Sequence, residues 1–93
     1  MSAQNDRPVA VVTGASRGLG AAIATRLARV GHDVALVARD RSALEAVAAE
    51  AVAFGARTLV VAVDLRDPQA PAEVVERAGA TWGRLDVLVN NAG

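Results

Sequence analysis

The chain has 93 residues, ten of them Arg and ten acidic, with no Lys, Tyr or Cys and a formal net charge of zero. Those zeros exclude a Schiff-base Lys, a Tyr acid/base, a Cys nucleophile, a disulfide framework and a thiolate zinc site within the chain, and one His cannot build a His-rich metal centre. A composition 53% hydrophobic and 22% charged suits one small globular domain, and a neutral chain with no basic run lacks the face that a phosphate-backbone binder needs, so no nucleic-acid partner is expected.

Residues 1–7 form a polar leader without the apolar centre of a signal peptide. Residues 8–93 carry four apolar runs separated by three segments of helical spacing. The first apolar run, residues 9–12, predicts a strand, and Leu19, Ile23, Leu27 and Val30 then recur at helical steps up to Gly31, a residue suited to a helix C′ position. Residues 34–37 predict a second strand. The next helix carries the stripe Leu44, Val47, Ala48 and Ala51, with Ser42 to Glu45 as a capping box and Asp40 as a competing N-cap, and it ends at Gly55. Residues 59–63 predict a third strand. Asp67-Pro68 then reads as an N-cap followed by Pro at N1 of a helix with Val74, Val75 and Ala78 on its apolar face, closed by Gly79 and Gly83. Residues 85–89 predict the fourth strand.

The strands are Val-rich and mostly do not alternate with polar residues, as in parallel sheets covered on both faces. The order β-α-β-α-β-α-β therefore implies an α/β fold with right-handed crossovers, a partial Rossmann-type doubly wound parallel sheet. No apolar run reaches the length of a membrane span, and the lack of Cys fits a reducing compartment, so a cytoplasmic location and no membrane contact are expected.

The chemistry lies in the first strand-to-helix turn, Thr13-Gly14-Ala15-Ser16-Arg17-Gly18-Leu19-Gly20. Gly14 allows a tight exit from the strand, Gly18 removes a Cβ where backbone must approach a pyrophosphate, and Gly20 lets the helix pack closely. The helix N-terminus then offers free N–H groups and a positive dipole end to phosphates, and Ser16 adds a hydroxyl donor. A turn that only connects strand to helix is the bland alternative, and the dense glycine spacing in this context argues against it.

This octet resembles the T-G-x-x-x-G-x-G fingerprint of the short-chain dehydrogenase/reductase family, and Asn90-Asn91-Ala92-Gly93 is similar to that family's N-N-A-G motif after the fourth strand. Asp64, after the third strand, matches a further characteristic position. The resemblance covers residues 8–93, implies that they are the N-terminal part of a dinucleotide-binding domain truncated after the fourth strand, and does not separate subfamilies. It implies an oxidoreductase moving hydride between a nicotinamide dinucleotide and a small carbonyl or alcohol substrate, with Asp64 and the Leu65 amide holding the adenine and the stretch from Asn90 to Gly93 lining the cofactor. It also implies a homo-oligomeric complete enzyme. The family's catalytic Ser and Tyr-x-x-x-Lys come later in the chain and have no counterpart here, so no catalytic residue is assigned and the 93 residues alone are expected to be inactive. A stand-alone NADP(H)-binding or regulatory module is the alternative. The bland readings are a strand-end turn at Asp64 and a chain-end turn at Asn90 and Asn91.

An acidic residue at the end of the second strand would favour NAD, by bonding the ribose 2′-OH. Ala38 stands there instead, followed by Arg39, and Arg17 lies in the glycine turn. Two guanidinium groups can bracket a 2′-phosphate, so NADP(H) is favoured over NAD(H). The rival readings are solvated charges at Arg17 and Arg39 and a shifted ribose contact from Asp40. His32 is expected in a surface turn, and Trp82 at the end of the third helix or the sheet edge. Asp86 is expected to order the turn before the fourth strand.

Overall fold

The computed structural model describes residues 7–91. Its elements are β1 (Val9–Thr13), α1 (Gly18–Arg29), β2 (Asp33–Ala38), α2 (Arg41–Ala53), β3 (Thr58–Ala62), α3 (Ala70–Trp82) and β4 (Val87–Val89). All strand pairings are parallel, in the order β3-β2-β1-β4, which makes this a partial Rossmann-type α/β sheet. The first two crossovers step outward from β1, and the third returns past it. Right-handed crossovers running in opposite directions put their helices on opposite faces. Hence α1 and α2 share one face, over Ala10, Val12, Val34 and Leu36, while α3 covers the other, over Val11, Ala35, Val37 and Val61. Register keeps each set together, since Ala10 pairs with Val34 and Val12 with Leu36, while Val11 pairs with Ala35 and Val37 with Val61. Every residue of β1 is buried, which is why the run is apolar without alternation.

The helices depart from the sequence pattern in instructive ways. On α1 the buried seam is Gly20, Ala24 and Ala28, while Leu19 is 68% and Val30 is 55% exposed. The expected stripe is thus rotated: Ile23 and Leu27 pack at its margin, and small residues face the sheet because α1 lies close against it. Val30 is the C-cap, and His32 N donates to Leu27 O while Gly31 N donates to Ala28 O, a Schellman motif that needs the positive φ of Gly31. On α3, Asp67 is not the N-cap. Its Oδ1 accepts from Gln69 N at 2.9 Å in a turn that precedes the helix, Gln69 is the cap, and Pro71 rather than Pro68 lies in the first turn. Val74 and Ala78 are buried but Val75 is exposed, and Gly79 stays within the helix, leaving Gly83 to close it. Trp82 packs at the margin of the α3-side core.

At α2 the competition between caps is resolved for Asp40, whose Oδ1 accepts from Ala43 N at 3.1 Å and from the Ser42 hydroxyl at 3.0 Å. The Ala43 amide, then Ser42, hold the Asp40 carboxyl below its ordinary pKa. A carboxyl lowered in the folded state stabilises above its unfolded pKa and loses that contribution as pH falls through the folded value. Asp40→Ala should therefore lower the melting temperature by a few degrees at neutral pH, and the gap to the wild type should narrow in acid. Equal melting curves at pH 7 would refute the cap.

The amino edge of the sheet is held by a group the sequence does not advertise. Asp33 is fully buried, and its carboxylate accepts from Arg7 Nε at 2.9 Å, Arg57 N at 2.8 Å and Arg57 Nε at 3.1 Å. Arg7, at the end of the leader, also donates to His32 O at 3.0 Å. Asp86, just before β4, accepts from Val9 N at 2.8 Å and pairs with Arg84, ordering the turn as expected.

Candidate functional site

Parallel strands end together, so the carboxyl edge gathers the turns after β1, β2, β3 and β4. Two adjoining grooves open there. One, of about 500 Å3, is lined by Gly14, Ala38, Arg39, Val63, Asp64, Leu65 and Arg66. The other, of about 390 Å3, is lined by Ser16, Arg17, Ala38, Arg39 and Asp40. Ala38 and Arg39 line both. His32 lies at the opposite edge of the sheet, in the turn before β2, and its Nδ1 has no hydrogen-bond partner among the described residues.

The glycine turn is shaped by steric need. A Cβ on Gly20 would overlap the carbonyl oxygen of Gly14 and lie 2.7 Å from Asn91 Nδ2. Gly18 has a φ of +59° and open space where its Cβ would stand. Arg17, the α1 N-cap residue, makes no side-chain cap hydrogen bond, and no acidic residue occupies the first turn. The first-turn amides therefore meet an open side rather than a carboxylate. Leu19 is exposed beside them. Ala15, by contrast, does not line the groove. It is fully buried, and its amide donates to Val37 O at 3.2 Å, so it fixes the turn to β2.

Across the sheet, Thr13 couples the turn to the end of β4. Asn91 N donates to Thr13 Oγ1 at 2.9 Å, and Thr13 Oγ1 lies 3.3 Å from both Val89 O and Asn90 Oδ1. Asn91 Nδ2 donates to Gly14 O at 3.4 Å. Asn90 and Asn91 are thus brought to the glycine turn, while Ala92 and Gly93 lie outside the described residues.

At the end of β3, Asp64 is gripped by Arg66. Oδ1 accepts from Arg66 N at 2.9 Å, and Oδ2 accepts from Arg66 Nη2 at 2.9 Å. The Arg66 guanidinium, with the Arg66 amide, holds the Asp64 carboxyl at about 2. Arg66 is the groove residue that sequence reading passed over; its signal was the Asp-x-Arg spacing in a strand-end turn. Among the described residues no cluster of three His, Cys, Asp or Glu can hold a metal, and no helix is long and apolar enough to cross a membrane.

A family model, described as short chain dehydrogenase, matches residues 8–93. The chain belongs to the short-chain dehydrogenase family. It is 47% identical over 88 residues to an uncharacterized oxidoreductase of Mycobacterium tuberculosis, covering 95% of this chain and 34% of that protein. Among solved structures, a metagenomic short-chain oxidoreductase in complex with NADP superposes with a TM-score of 0.87 at 52% identity, over 92% of this chain and 39% of the other. Carveol dehydrogenase from Mycobacterium avium in complex with NAD gives 0.87 at 31% identity, over 92% and 35%. This short-chain dehydrogenase sequence spans about a third of the length of the relatives it matches.

Proposed function

We propose that this chain carries the adenosine-phosphate half of the site of an NADP(H)-dependent oxidoreductase acting on a small carbonyl or alcohol substrate. The observation that carries the choice of dinucleotide is the placement of Arg17 and Arg39 on one groove beside Ser16, with Ala38 rather than an acid at the end of β2. Two forked, permanently charged donors suit a 2′-phosphate. Asp40, the rival ribose contact, has Oδ1 engaged by Ala43 N and by Ser42.

The residues of this chain would bind and orient. Gly18 lets backbone approach the pyrophosphate, Gly14 turns the chain out of β1 and Gly20 lets α1 pack against that turn, with the first-turn amides of α1 and the Ser16 hydroxyl as donors. Ala15 keeps the turn on β2, and Leu19 flanks the opening. Asp64 and the Leu65 amide hold the adenine, and Asn90 and Asn91, followed by Ala92 and Gly93, line the ribose side. A bound nicotinamide supplies hydride chemistry at its C4. The family's proton-transferring Tyr and Lys have no counterpart among these 93 residues, so the chain alone is expected to lack dehydrogenase activity. A homo-oligomeric complete enzyme in the cytoplasm belongs to the same proposal.

Titration of NADPH and NADH into the full-length protein tests the choice. NADPH should bind about tenfold tighter or more, the worth of a charge-assisted hydrogen bond. Arg39→Asp should reverse the order, and tighter NADH binding by the wild type would overturn the reading.

A further inference from the structure

Arg66 lies at the mouth of the larger groove, and folding makes little use of it. Its side chain is 78% exposed and that of its partner Asp64 is 40% exposed. Exposed ion pairs between near neighbours contribute little to stability. What the pair does is hold a carboxylate and a guanidinium together on the lining of a slot that also includes Ala38, Val63 and Leu65. Arg66 Nε donates to Oδ1 at 3.1 Å and to Oδ2 at 3.2 Å, Nη2 donates to Oδ2 at 2.9 Å, and the Arg66 amide donates to Oδ1 at 2.9 Å.

Donor and acceptor capacity remains on both partners. Each oxygen takes one full bond, Oδ1 from the backbone amide and Oδ2 from Nη2, and a share of Nε, and a carboxylate has about four lone-pair sites in all, so acceptor capacity remains. A guanidinium has five N–H donors, and Arg66 spends those of Nε and one of Nη2 on Asp64. The pair therefore presents an acceptor beside a donor. The edge of adenine presents the complement, an exocyclic amine beside a ring nitrogen, the pattern that an Asn or Gln amide reads in a duplex.

We infer that Arg66 is a specificity-determining residue that reads the adenine edge jointly with Asp64: Asp64 Oδ2 accepts from the exocyclic amine while a spare N–H of Arg66 donates to the adjoining ring nitrogen. This rests on the reading of the groove as a dinucleotide site. It gives Arg66 a part beyond ordering the turn, and it adds Arg66 to Asp64 and the Leu65 amide in the base-recognising unit.

The test is calorimetric titration of the full-length protein with NADPH and with two analogues in which adenine N1 or N7 is replaced by C–H. One analogue should bind the wild type about tenfold more weakly than NADPH, the effect of one lost charge-assisted hydrogen bond. Arg66→Ala should weaken NADPH to a similar degree and abolish the difference between NADPH and that analogue. Arg66→Gln, which keeps a donor, should restore part of it. Because Arg66 is exposed, both variants should melt as the wild type does. Equal affinity of the wild type for all three ligands, or unchanged discrimination in Arg66→Ala, would overturn the inference while leaving the dinucleotide site standing. Failure of the wild type to bind any of the three would overturn both.

Discussion

Gly20→Ala is expected to destabilise the protein by about 3 kcal/mol, the upper part of the usual range for overpacking. The added methyl would run into the backbone carbonyl of Gly14, with Gly14 C and Asn91 Nδ2 each 2.7 Å away. Two of these three atoms are backbone, so no rotamer change relieves the overlap; either α1 withdraws from the turn or the Gly14 peptide reorients. Ala is a better helix former than Gly by about 1 kcal/mol, and that gain is too small to reverse the sign. Gly79→Ala isolates the propensity term, because Gly79 lies within α3 and nothing stands within 4 Å of its Cβ position. It should be more stable than the wild type, by up to about 1 kcal/mol. Urea denaturation of the three proteins decides the matter, and Gly20→Ala at or above wild-type stability would refute the close-approach argument. Binding of NADPH should weaken in parallel, since the shifted turn carries Gly18 and Ser16.

Asp33→Asn should cost about 3 kcal/mol, as removal of one partner from a buried ion pair does. The change preserves shape but replaces a carboxylate with an amide that has one acceptor oxygen and an NH2 group. That NH2 must then face a donor of Arg7 or Arg57, whose nitrogens now sit around both carboxylate oxygens. The Arg side chains are partly exposed, at 28% and 46%, which keeps the expectation at the low end of the buried-pair range. Glu73→Gln makes the comparison: its 4.0 Å pair with Arg77 is exposed on α3 and should be worth well under about 1 kcal/mol. Guanidinium denaturation measures both. The Asp33 clamp lies at the edge opposite the grooves, so Asp33→Asn should leave dinucleotide affinity within about twofold under native conditions, and a large loss there would reject a purely structural role.

The contrast between these two sites shows what sequence patterns carry. The glycine turn is legible because its requirements are local: a tight exit, an open backbone and a close helix are all written within eight consecutive residues. Val-rich runs likewise reveal central strands, because both faces of β1 and β2 demand apolar side chains. Asp33 is different. A lone carboxylate at a strand start resembles any surface charge, and its burial depends on Arg7 and Arg57, 26 and 24 residues away, arriving from two directions. The seam of α1 is hidden for another reason. Hydrophobic size singles out Leu19 and Val30, whereas close packing against the sheet selects Gly20, Ala24 and Ala28. The start of α3 was misplaced because Asp67-Pro68 suits either a cap or a preceding turn, and the bond to Gln69 N chooses the turn. For the candidate site, the strand-end residues of β2, β3 and β4 were legible once a parallel sheet was inferred, since such strands finish at one edge. The grip of Arg66 on Asp64 was not, because side-chain geometry within a turn leaves no periodic trace.

The return of the chain past β1 to place β4 has a kinetic meaning. Pairings of β1 with β2 and of β2 with β3 close over one helix each, but the Asn91-to-Thr13 bond joins residues 78 apart. Loop-closure entropy makes such a contact late to form, and the three-pair register of β4 offers less in exchange than the five-pair registers of its neighbours. Among the described residues, this long-range bond of the cradle is therefore expected to form after the pairings of β1 with β2 and of β2 with β3. A ligand bridging the glycine turn and Asn90 would act as a staple across that long loop, so occupancy would favour the docking of β4 on β1.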